Sequence, residues 1–106
     1  TSPVLDVSGL EEYRRYFWQK QLHLFEVPFY YIEYGIAQLG AIGLWKQFKE
    51  NKEQAVNNYI SALAHGGTQT LPQLFQLAGL HFDFSPPVVG SLMAFVHQEM
   101  QSLTKE

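Results

Sequence analysis

Helix-start signals recur along this chain at intervals that leave room for helices and little else. Ser8-Gly9-Leu10-Glu11 has the form of a capping box, in which the Ser8 hydroxyl serves the amide of residue 11 and Glu11 reaches back to the Ser8 amide. Pro28 suits a first helical turn, where its missing N–H costs nothing. Asn51 precedes Gln54 by three residues, Thr70 stands in the same relation to Gln73 with Pro72 between them, and Ser85 leads into Pro86-Pro87. Stop signals match: Gly66-Gly67 and Gly79 follow the third and fourth candidate segments. The spacing predicts helices over about 9–25, 28–49, 52–65, 70–78 and 86–103, with "LHFDF" crossing over in extended form and essentially no sheet. The expected fold class is all-α, about five helices in one small domain, since 106 residues suffice for a single core.

Composition limits what such a bundle does. Charged residues make up 16% of the chain against roughly 25% in ordinary soluble domains. That is little charge to cover a free surface, so the chain is expected to be partly covered by a partner or by the rest of a longer polypeptide. Thr1 in place of methionine fits a processed product or a fragment. The net charge of −3, with seven lysines and arginines that form no stripe, argues against nucleic-acid binding. With no cysteine, a disulfide framework, a thiolate zinc site and a cysteine nucleophile are all excluded, which favours a cytoplasmic setting. The apolar run Ile36–Trp45 is too short for the ~20 residues a bilayer needs, so no membrane role is expected.

The segment "HLFEVPFYYIEY", residues 23–34, concentrates Phe25, Phe29, Tyr30, Tyr31, Tyr34 and His23 in one place. On a helical wheel Tyr30, Tyr31 and Tyr34 share an arc with Ala37, Gln38, Ala41 and Trp45, while Phe29, Ile32, Ile36, Leu39 and Gly43 take the other side. With both sides apolar or aromatic, this helix is expected to be enclosed. Gly35, Gly40 and Gly43 would each weaken it by about 0.5–1 kcal/mol unless a neighbour approaches closely. Spacing alone favours plain core rings whose hydroxyls find backbone or solvent. Taken with His23, however, the phenols form a set of donors able to point at one developing negative charge.

Other constellations are weaker. His23 and Glu26 lack the further ligands of a zinc site, and no His-Glu-x-x-His motif occurs. His65, His81 and His97 read as cap, loop or surface groups. There is no nucleophile elbow, phosphate-binding loop or dinucleotide fingerprint.

The stretches "HLFEVPFYYIEYGIAQLGAIGLW", "YISALAHGGTQTLPQLFQLAGLHFDFS" and "LMAFVHQEM" resemble the C-terminal part of the catalytic domain of oligoendopeptidase F and its M3-family relatives, over about residues 10–100. That resemblance implies a mostly helical zinc peptidase that cleaves short peptides in a deep channel. It further implies that the zinc motif and its general-base glutamate lie upstream, so that this chain alone binds no metal and is inactive. On this sequence it implies His23, Tyr31 and Tyr34 as catalytic donors near the scissile carbonyl, and His23, Tyr30, Tyr31 and Tyr34 as substrate-binding groups. Tyr30 is an alternative to Tyr31. Gly66-Gly67-Thr68 and Phe82–Ser85 are assigned structural roles. The expected partners are short peptides and the upstream part of the same polypeptide, with self-association of the exposed tyrosine face if the piece folds alone. The alternative function is a non-catalytic helical module that binds a peptide or a partner helix.

Overall fold

In the computed structural model, which describes residues 4–104, every regular element is a helix. The order is α1 Glu11–Arg14, a 3₁₀ turn Phe17–Lys20, α2 His23–Glu26, α3 Ile32–Glu50, α4 Lys52–Ala64, α5 Leu71–Leu77 and α6 Pro86–Leu103. The all-α expectation holds. The chain divides into two compact units between Tyr34 and Gly35.

In the first unit the expected single helix over 9–25 is broken into three short pieces. Its capping box does not form: Asp6 Oδ1 takes the Ser8 hydroxyl at 2.6 Å and the Ser8 amide at 2.9 Å. Glu11 instead accepts the Gly9 amide at 3.0 Å, Gly9 lies at φ +82°, and Leu10 becomes the N-cap. A short helix is marginal without a buried face to hold it, and none of the three pieces has a buried residue. The chain turns extended at Gln21, φ −85° and ψ 91°, before α2 begins.

The helix expected from Pro28 starts four residues later, at Ile32. Pro28 occupies the second position of a β-turn in which the Tyr30 amide donates to the Val27 carbonyl at 3.2 Å. Phe29 is the third residue, at φ +67°. That is the type II pattern, with proline at i+1 and a left-handed residue at i+2. A residue bearing a Cβ gives up roughly 1–2 kcal/mol there relative to glycine.

In the second unit the local signals are realised. Asn51 Oδ1 accepts the Gln54 amide at 3.1 Å to start α4, and Gly66 at φ +51° follows its end. Gln73 Oε1 accepts both the amide and the hydroxyl of Thr70, at 3.0 and 2.7 Å, to start α5. That helix closes in a Schellman motif: Leu80 N–H donates to the Phe75 carbonyl at 2.8 Å and Gly79 N–H to the Gln76 carbonyl at 3.0 Å. Gly79 supplies the left-handed residue, φ +75°, and the Gln47 side chain donates to its carbonyl.

The motif aims Phe75 and Leu80 at α3, where the buried Gly40 and Gly43 make room for them. A Cβ built on Gly40 would lie 3.1 Å from Phe75 Cζ, and one on Gly43 only 2.8 Å from Leu80 Cδ2. The close-approach expectation therefore holds at both positions and not at Gly35, which faces open space. Phe82 crosses edge-on to Phe75 at 5.1 Å and to Phe84 at 4.8 Å, which packs the extended crossover. From α6, Phe95 packs on Trp45 at 4.8 Å, Ser91 receives Lys46 Nζ at 3.1 Å and Glu99 pairs with Lys49 at 2.7 Å.

The expectation that α3 is enclosed is not met, because its buried residues are the two glycines, while Ile32, Tyr34, Trp45 and Phe48 are exposed. The only buried apolar side chains among the described residues are the small ones of Ala55 and Ala78. The bundle thus rests on glycine-mediated approach and half-buried rings instead of on large interior side chains.

Candidate functional site

The Val27–Tyr30 turn reverses the chain, so that α2 and the entry to α3 come together inside the first unit. His23, the first residue of α2, then meets two residues beyond the turn. Its Nε2 lies 3.2 Å from the Tyr34 hydroxyl. The His23 ring is edge-on to Tyr34 at 5.4 Å and tilted against Tyr31 at 5.7 Å. Tyr31 and Tyr34, three apart at the start of α3, complete the triangle at 5.7 Å. Tyr30 joins none of these ring pairs, and its amide closes the turn. The structure therefore brings together His23, Tyr31 and Tyr34, and leaves the ring of Tyr30 outside their cluster.

The direction of the His23–Tyr34 bond depends on the imidazole tautomer. His23 Nδ1 is buried and has no hydrogen-bond partner among the described residues. With the neutral ring's proton on Nε2, the imidazole donates to Tyr34 Oη. That tautomer leaves the phenolic proton of Tyr34 free to point outward, polarised by the N–H bond its oxygen receives. Tyr34 is 53% exposed and Tyr31 40%, so both reach a molecule arriving from solvent.

This is a set of oxygen-directed donors, suited to a carbonyl or oxyanion. Metal coordination needs nitrogen, sulfur and carboxylate ligands in larger number. No group of three His, Cys, Asp or Glu side chains among the described residues is placed to hold a metal ion.

The remaining histidines have local duties. His65 Nδ1–H donates to the Ser61 carbonyl at 2.8 Å at the end of α4, His97 Nε2 accepts from the Gln101 side chain at 2.9 Å, and His81 is exposed in the crossover. Thr68 caps the stop after α4 by donating its hydroxyl to the His65 carbonyl at 2.7 Å. The second unit holds a cleft of about 470 Å³ whose lining includes Leu39, Gly43, Lys46, Phe84, Val88 and Leu92. None of the donor residues lines it. Sequence reasoning missed the turn that assembles the donors; its signal was Val27-Pro28-Phe29-Tyr30, with proline at a β-turn's second position.

No helix among the described residues is long and apolar enough to cross a membrane. No family model matches the chain, and no solved structure matches it. Among curated proteins it is similar to an oligoendopeptidase F homolog from Borreliella burgdorferi, with 42% identity over 45 residues. That stretch takes up 42% of this chain and 8% of the relative's length.

Proposed function

We propose that this chain is the helical part of a larger oligopeptidase, in which Tyr31 and Tyr34 supply hydrogen-bond donors to the scissile carbonyl of a short peptide and His23 positions Tyr34. The observation that carries the reading is the 3.2 Å contact of His23 Nε2 with the Tyr34 hydroxyl, with the Tyr31 ring against both. The 45-residue similarity to an oligoendopeptidase F homolog supports peptide-bond hydrolysis as the reaction.

As water adds to the amide carbon, the carbonyl π electrons move onto oxygen, which then needs donors already in place. Tyr34 offers its phenolic O–H while its oxygen accepts from His23 Nε2–H, and Tyr31 offers a second O–H from the same helix entry. His23 acts through Tyr34 by fixing the direction of that phenol. Tyr30 remains the alternative second phenol. The water-activating group and the zinc implied by the resemblance belong, on this reading, to other parts of the polypeptide.

The test compares peptide hydrolysis by the full-length polypeptide with that of its His23→Ala and Tyr34→Phe variants. Loss of one oxyanion donor typically lowers kcat by ~10²–10³, and a drop of that order in Tyr34→Phe is expected. Rates within twofold of the parent, in variants whose circular dichroism is unchanged, would remove both residues from the mechanism. A complete reading of the gene that shows no His-Glu-x-x-His upstream of residue 1 would remove the peptidase assignment.

A further inference from the structure

Phe29 stands at the apex of the turn that brings His23 beside Tyr31 and Tyr34. Its backbone lies at φ +67°, where residues other than glycine, asparagine and aspartate are uncommon. Phe29 is 97% exposed, so no packing among the described residues offsets that conformation. Glycine would make the same turn without steric cost. A large aromatic is therefore held in a strained position, unburied, two residues from Tyr31. Strain retained in this way concentrates at binding and catalytic sites.

We propose that Phe29 is a specificity residue, whose ring forms an apolar wall against the side chain of the peptide residue flanking the cleaved bond. The inference rests on the donor reading of His23, Tyr31 and Tyr34 given above. The geometry suits it: two residues of chain separate Phe29 from Tyr31, a span of at most about 7 Å. Successive Cα atoms of a bound peptide are about 3.8 Å apart. A carbonyl held by Tyr31 and Tyr34 thus has its neighbouring side chain within a residue's reach of the Phe29 ring. An aromatic ring has 150–250 Å² to bury, so the substrates favoured are short peptides with a large apolar or aromatic residue next to the scissile bond.

The experiment measures kcat/KM of the full-length polypeptide for paired fluorogenic peptides that carry either phenylalanine or glycine at each position flanking the cleaved bond. Phe29→Ala and Phe29→Gly are compared with the parent. Phe29→Gly keeps the turn, because φ +67° suits glycine, and so separates loss of the ring from loss of fold. The expected result is a loss of about tenfold or more on the phenylalanine-flanked peptide, with the glycine-flanked peptide within twofold of the parent and Phe29→Leu intermediate. Equal losses on both peptides, or no loss on either, would overturn the assignment of Phe29, the first outcome marking it as covered by another part of the polypeptide. Tyr34→Phe is run on the same peptides. If Tyr34→Phe loses activity on both while Phe29→Gly loses it on neither, only the specificity role fails. If Tyr34→Phe is also silent, the donor reading fails with it.

Discussion

Gly43→Ala is the sharpest test of how the second unit is held together. In an open helix interior the change gains about 0.5–1 kcal/mol from the lower backbone entropy of alanine. Here the added Cβ would lie 2.8 Å from Leu80 Cδ2, against the 3.5–4.0 Å at which carbon atoms sit comfortably. Leu80 Cδ2 is the end of a half-buried side chain, so relieving the contact means driving that side chain out of its present rotamer. Overpacking of this kind costs roughly 1–3 kcal/mol, so the net expectation lies between no gain and a destabilisation of about 2.5 kcal/mol. Urea unfolding followed by far-UV circular dichroism reads it, with Gly90→Ala as the control. A Cβ on Gly90 meets nothing within 4 Å, and that variant should gain the full helix increment of about 0.5–1 kcal/mol. Leu80→Val removes the δ-carbons that collide, so Gly43→Ala made in that background should turn from costly to neutral or favourable. A Gly43→Ala protein as stabilised as Gly90→Ala, or a double mutant showing no coupling to position 80, would refute the close approach of α5 to α3.

Asn51→Ala removes the acceptor for the Gln54 amide and is expected to lower stability by about 1 kcal/mol in the same urea assay. Lys49→Met breaks the pair with Glu99, whose lysine is half exposed, and should change stability by no more than about 0.5 kcal/mol, with the difference fading at high salt. Asp6 is held below its ordinary value by the Ser8 hydroxyl and then the Ser8 amide, and Glu11 by its own amide and then that of Gly9. Both carboxyls therefore favour the folded turn at neutral pH, and that contribution is lost as pH falls through their depressed values. Amide exchange at Ser8 and Gly9 should accelerate, relative to the rest of the chain, below about pH 4.

The helix starts and stops of the second unit were legible where each depends on partners within a few residues. Asn51 with Gln54, Thr70 with Gln73, and Gly79 act through bonds that no distant residue disputes. Ser8 failed by the same logic turned around, since Asp6 lay closer to its hydroxyl than the amide of residue 11. Pro28 was ambiguous in kind: a proline opens a helix or occupies the second position of a turn, and what decides is the conformation of Phe29, which no propensity foretells for a phenylalanine. The pairing of Tyr31 with Tyr34 could be read from a separation of three. The approach of His23 could not, because it depends on that turn. Enclosure of α3 was inferred from its apolar faces, yet pattern alone does not reveal whether the covering chain is present.

The two glycines of α3 also set the alignment of the packed pair. Phe75 and Leu80 are presented by a single helix end, so they move as one body with a fixed gap between them. Gly40 and Gly43 form the one pair of glycines three apart on that helix. Slid by four residues in either direction, the two side chains would meet Ile36 and Leu39, or Leu44 and Gln47, in place of bare backbone. The glycines thus act as a key that admits α5 at one position along α3, a selectivity that a uniformly apolar seam of leucines would not provide.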